Sequence, residues 1–176
     1  MTYEIEVRRC LDGHLAALEM TEPPGSGIAR SLLHHQATGT IVYAAAWQGQ
    51  QAVGTVVLDL AADHTPELKH LFVGEAARRA EVGSALRAWA ENYAAHAGFG
   101  KIYLGVGIEN HGARRLYERL GYTPSGQTTT TTYQYVDDDG QKQWATETDA
   151  TLEKTLAEEH TSELQSHQLS RMPSSA

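Results

Sequence analysis

Residues 102–122, IYLGVGIENHGARRLYERLGY, constrain this chain more than any other stretch. Ile102, Leu104 and Val106 alternate with Tyr103 and Gly105, the period of a strand with one face in a core. Asn110 can lend its side-chain oxygen to the first turn of a helix, and Gly121 stops that helix after Leu120. Helical spacing puts Tyr117 on the face of Ala113 and Leu120. A unit of the same kind precedes it. Residues 67–86, ELKHLFVGEAARRAEVGSAL, read as a strand, an arginine-bearing loop and a helix. Val82, Leu86, Trp89 and Tyr93 line one face of that helix, which ends near Gly98.

The rest of the chain supplies shorter elements. Tyr3–Arg8 alternates as an amphipathic strand. Asp12–Met20 carries Leu15 and Leu18 at helical spacing and is broken by Glu22-Pro23-Pro24-Gly25. Ser26 is placed to cap a second short helix with Ile28, Leu32 and Leu33. Thr40–Trp47 and Gln51–Leu60 are β-rich runs around Gln48-Gly49-Gln50. Thr128–Val136 and Gln141–Leu156 flank Asp137-Asp138-Asp139-Gly140, a strong hairpin turn. The Thr128–Thr132 run suits a pleated surface because its side chains branch at Cβ. Trp47 is expected to pack under the sheet, and Tyr122 to pack after Gly121.

Composition narrows the function. The length, 176 residues, suits one domain with a sizeable core. No apolar run is long enough to cross a bilayer, and the N-terminus lacks the apolar core of a secretion signal, so a cytoplasmic location is expected. Cys10 is the only cysteine, which rules out an internal disulfide. The net charge of −8 argues against nucleic acid as a partner and suits cationic ones such as amines. No metal is expected: His34 and His35 stand about 100° apart on a helix without acidic ligands beside them. They read as surface residues.

Residues 158–176 depart from everything before them. They are rich in Ser, Gln and His, and lack periodicity. EEHTSELQS and SRMPSSA resemble, in order, two parts of a translated DNA-sequencing adapter. The domain is therefore expected over residues 1–157, with 158–176 a non-native or disordered tail whose His160 and His167 are not metal ligands. Without the tail's three acids and one arginine, 13 basic and 19 acidic residues leave a charge of −6.

The two strand–loop–helix blocks, in this order, resemble the acyl-CoA-binding half of a GNAT-family N-acetyltransferase. The element order β-α-α-β-β-β-α-β-α-β-β resembles that family over nearly all of Tyr3–Leu156, with the specific motifs between Glu67 and Tyr122. The resemblance implies an α+β, three-layer fold: a mostly antiparallel mixed sheet with a splayed parallel strand pair and helices on both faces. It also implies acetyl-CoA as acyl donor, a primary amine of a small molecule, peptide or protein as acceptor, and direct attack of the amine on the thioester. The other reading is a CoA-binding or interaction module of the same fold with impaired catalysis. Neither the acceptor nor the oligomeric state is legible, and a homodimer is compatible with the sequence.

A pyrophosphate is held cheaply by backbone N–H groups at a helix N-terminus, with glycines letting it approach. The family's Arg/Gln-x-x-Gly-x-Gly/Ala register falls on Arg78, Arg79, Ala80, Glu81, Val82 and Gly83, followed by Ser84. Arg78 and Gly83 fit, Glu81 replaces the first glycine, and Glu75 replaces the usual proline. At roughly 5–6 Å and an effective dielectric near 20, a carboxylate and a phosphate charge repel by about 3 kcal/mol. That weakens binding about a hundredfold unless the side chain turns away.

The resemblance assigns further roles. Leu71 and Val73 contribute main-chain contacts to the pantetheine arm with Phe72 between them, and both also suit core packing. Glu67 falls where family members place a catalytic carboxylate. Such a base is needed because an alkylamine near pKa 10.4 is protonated at neutral pH. The other reading of Glu67 is a solvated acid opening a strand. His70 is a second candidate base, sharing a face with Leu68 and Phe72 if the alternation is unbroken; partial burial for packing is the plainer reading. Asn110 contacts the CoA arm as well as capping, and Ala113 leaves the arm room. Tyr117, within Asn-x-x-Ala-x-x-x-Tyr-Glu, falls where the family keeps a hydroxyl that protonates the departing thiolate.

Overall fold

The structure is a computed structural model that describes residues 4–75 and 79–156. The expected tail, residues 158–176, and Arg78 lie outside the described residues. The described residues form seven strands and four α-helices. The chain divides into two compact units, one running through Ile102 and including Leu156, the other Tyr103–Thr155.

In the first unit, β1 (Ile5–Arg9), β2 (Ile41–Gln48), β3 (Gln51–Asp59) and β4 (Glu67–Val73) pair antiparallel in sequence order. β2 and β3 are buried along nearly their whole length, as expected of strands covered on both faces. On one face, Ile41, Tyr43, Ala45 and Trp47 share a core with Cys10 and Val57. Leu18 of α1 (Leu15–Glu19) and Ala29 and Leu33 of α2 (Ile28–Ala37) close that core. A 3-10 turn over Asp12–His14 opens the region read as one helix from Asp12.

On the opposite face lies α3 (Arg79–His96), packed against all four strands of this unit. Val82, Leu86, Ala90 and Ala94 recur every fourth residue and are fully buried. This stripe shares Val82 and Leu86 with the expected face, but Trp89 and Tyr93 are only half-buried and stack on each other, their ring centroids 5.4 Å apart. The helix comes so close that a β-carbon on Gly54 would stand 2.8 Å from both the Phe72 carbonyl oxygen and Val82 Cγ1.

Two local connections differ from the sequence reading. Ser26 does not cap α2; the N-cap is Gly27 at φ 70°, without a side-chain cap bond. Glu22 reaches from the preceding loop instead, accepting the Ala29 N–H at 2.7 Å. Gln36 of α2 inserts its carboxamide where the β1–β2 ladder ends. Its Nε2 donates to the Cys10 carbonyl at 2.9 Å, and its Oε1 accepts the Tyr43 N–H at 2.8 Å.

The second unit holds most of β5 (Lys101–Gly107), α4 (His111–Arg119), β6 (Thr123–Val136) and β7 (Lys142–Thr155). Leu104 and Val106 of β5 are buried with Tyr122 and Leu152, as the alternation requires. β6 and β7 form a long ribbon, largely exposed, with Thr130–Thr148 and Thr132–Thr146 hydroxyl pairs across it. Its turn is closed by Asp137, whose carboxylate accepts the Asp139 and Gln141 N–H groups at 3.0 and 2.8 Å.

Candidate active site

The candidate residues divide between the two units. In the first, β4 carries Glu67, Leu71, Phe72 and Val73, and the first turns of α3 carry Arg79, Ala80, Glu81, Val82, Gly83 and Ser84. Leu71 and Val73 are half-buried, and Phe72 is 43% exposed. A β-carbon on Gly83 would meet only Val73 Cγ2, at 4.0 Å, so the end of β4 and the second turn of α3 adjoin with space beside the glycine. The first four N–H groups of a helix have no intrahelical acceptor, which makes this end a donor row for an anion. Val82 serves that row only through its backbone, since its side chain is fully buried. Glu81 is exposed in the first turn.

β4 is not a regular strand. Thr55 pairs with Phe72 and Val57 with Lys69, so His70 and Leu71 together oppose Val56. This is a β-bulge, and His70 takes a left-handed conformation, φ 49°, that non-glycine residues seldom adopt. The expected common face of Leu68, His70 and Phe72 is therefore broken: Leu68 is buried, whereas His70 and Phe72 are exposed. The bulge turns the end of the strand over, because one extra residue inverts which side chains face the core.

Glu67 is half-buried, and its Oε1 lies 3.9 Å from Lys69 Nζ. Lys69 in turn donates to Asp59 Oδ2 at 2.9 Å. Burial opposes the charge on Lys69, but the Asp59 hydrogen bond and the negative charges of Glu67 and Asp59 outweigh it and raise its pKa. Neither Lys69 nor Asp59 stands out in the sequence. Their proximity comes from the register of β3 on β4, in which Asp59 pairs with Glu67.

In the second unit, β5 leads through a tight turn into α4. Asn110 caps the helix as expected, its Oδ1 accepting the Ala113 N–H at 3.1 Å. Ala113 and Tyr117 are half-buried on this helix, and Tyr117 meets Tyr122 edge-on at 5.7 Å. On β5 the outward positions are Lys101, Tyr103, Gly105 and Gly107, so two of the four carry no side chain. Beside them lies Asp149 of β7, a residue with no motif to single it out. Two glycines in one strand were the only signal in the sequence.

Other titratable groups play no visible part. Cys10 is buried, and that burial pushes its thiol up to about 12. Among the described residues, no group of three or more His, Cys, Asp or Glu side chains could hold a metal ion. His34 and His35 are exposed, with their rings edge-to-face. No described helix is long and apolar enough to cross a membrane.

Comparison with known proteins points to one family. Residues 9–122 match the family model described as the acetyltransferase (GNAT) family. Among solved structures, the ribosomal-protein-S18-alanine N-acetyltransferase from Escherichia coli is 18% identical at a TM-score of 0.63, covering 88% of this chain and 95% of its own. A GNAT family acetyltransferase from Elizabethkingia anophelis, with acetyl-CoA bound, is 17% identical at a TM-score of 0.59, covering 86% and 98%. The PaiA N-acetyltransferase from Thermoplasma acidophilum, in complex with coenzyme A, is 19% identical at a TM-score of 0.57, covering 86% and 99%. No curated protein matches the chain.

Proposed function

The chain belongs to the GNAT family of acetyltransferases, and on that premise we propose that it transfers the acetyl group of acetyl-CoA to a primary amine of a small molecule, peptide or protein. The observation that carries this reading is the start of α3, where a helix N-terminus adjoins Val73 with space beside Gly83. Such an end suits a pyrophosphate. Structural neighbours of the same fold hold acetyl-CoA and coenzyme A.

In this reading, the N–H groups of residues 79–82 hold the diphosphate, with Arg78 adding charge and Gly83 leaving room. The backbone of Leu71 and Val73 aligns the pantetheine arm beside Phe72, and Asn110 and Ala113 flank it. The acceptor ammonium gives a proton to Glu67 or to a water that Glu67 orders. The neutral amine then forms its C–N bond as the C–S bond breaks; Tyr117 gives its phenolic proton to the thiolate, and the acylated nitrogen sheds its second proton, which restores the phenol. Transfer is direct. A covalent acetyl-cysteine would need a thiolate, and Cys10, the chain's one cysteine, is buried with its thiol pushed up to about 12.

The test is thiol release from acetyl-CoA across a panel of amines, paired with calorimetric titration of acetyl-CoA. Binding together with amine-dependent release supports transfer. Binding without release on any amine leaves a CoA-binding module, and no binding overturns the site.

A further inference from the structure

We infer that Asp149 anchors the positive charge of the acceptor, which makes the acceptor an alkylamine that arrives protonated and has no carboxylate next to its nitrogen. The inference rests on the acetyltransfer reading above and adds the acceptor's class to it. Glycine inside a strand weakens it and often marks close approach by a ligand or another backbone. β5 has two on its outward face, Gly105 and Gly107, the first of them exposed. The Asp149 carboxylate leans along this bare strip. Its Oδ2 lies 3.5 Å from where a β-carbon of Gly105 would stand, and its Oδ1 3.8 Å from that of Gly107. The same point at Gly107 lies 3.9 Å from Asn110 Cβ, so the strip ends at the residue that caps α4.

Asp149 is half-buried and makes no ion pair among the described residues. Its partner across the β6–β7 ladder is Thr129, which is uncharged. A partly desolvated carboxylate without a cation gains from one that arrives with a ligand. An alkylammonium supplies three N–H donors and one positive charge. An α-amino acid brings its own carboxylate to the same strip and is repelled. The chain's net charge of −8 favours the same class of ligand at longer range.

Asp149 binds the acceptor and takes no proton in the step, so the effect falls on KM for the amine. Initial rates are compared for wild type, Asp149→Asn and Gly105→Ala, with an alkylamine, an aromatic amine that is neutral at the assay pH, and acetyl-CoA varied in turn. Asp149→Asn should raise KM for the alkylamine about tenfold or more, with KM for acetyl-CoA and for the aromatic amine within about twofold. Gly105→Ala, whose added methyl makes only ordinary contacts, should raise KM for the alkylamine alone. An alkylamine KM unmoved in Asp149→Asn overturns the inference while leaving acetyltransfer intact. A wild-type enzyme that releases no thiol with any amine overturns both together.

Discussion

Lys69 Nζ stands 2.9 Å from Asp59 Oδ2 across the β3–β4 ladder and 3.9 Å from Glu67 Oε1. Burial raises Asp59, but the Lys69 hydrogen bond, the Ala61 and Ala62 N–H groups and the Lys69 charge prevail and hold it below its ordinary 3.8. This depressed carboxylate stabilises the fold above 3.8 and loses that effect as pH falls through the folded value. Lys69 is raised above 10.5, so its share is complete below 10.5 and fades as pH rises further. The pair is partly exposed, which limits its worth to about 1 kcal/mol or less. Lys69→Met should lower the melting temperature at neutral pH, and the gap from wild type should close in acid below 3.8. A gap that stays constant down to strong acid would remove Asp59 from the account.

Gly54→Ala should destabilise the first unit by about 1–3 kcal/mol. The added carbon would stand 2.8 Å from a backbone oxygen of β4 and 2.8 and 3.0 Å from Val82 and Leu86 of α3. The backbone oxygen cannot rotate away. Because β4 and α3 both carry candidate site residues, acetyl-CoA affinity should drop as well. Urea unfolding and calorimetry read the two effects, and an unchanged midpoint contradicts the close packing.

Gln36→Leu should cost about 1–3 kcal/mol by leaving the Cys10 carbonyl and the Tyr43 N–H without their partner. The Tyr43 amide should also exchange with deuterium faster than its neighbours in β2. Equal protection in both proteins would show that the carboxamide is not what closes the ladder.

Tyr117→Phe removes only a hydroxyl from a half-buried ring packed against Tyr122. Turnover should fall about a hundredfold if that hydroxyl protonates the thiolate. The dissociation constant of acetyl-CoA should stay within about twofold. Wild-type turnover at saturating substrates would end Tyr117's assignment as the acid.

Glu81→Gly should tighten acetyl-CoA binding. Two unit charges roughly 5–6 Å apart repel by about 3 kcal/mol at an effective dielectric near 20. Glu81 is exposed, and solvent screening reduces the gain to about tenfold or less. A titration with no gain means that the carboxylate already points away from the phosphates.

Where the sequence was legible, the cause was local. Ile102, Leu104 and Val106 show their buried face by period alone, and Asn110 caps α4 because its own side chain reaches three residues ahead. The bulge at His70 left no such trace, since it exists only in the pairing of β4 with β3. Glu22 overrode Ser26 at the start of α2 in the same way, from seven residues before Ala29. Asp59, Lys69 and Asp149 acquire meaning from the strands beside them, and single-strand patterns carry no register.

The turn at the end of the β6–β7 ribbon has a practical consequence. Asp137 ties it internally through the Asp139 and Gln141 amides and the Gln143 side chain, without help from either core. Asp138, exposed between these anchors, is thus a natural attachment point for a fluorophore or a surface tether. A reporter placed there would follow the protein through a titration with its packing undisturbed.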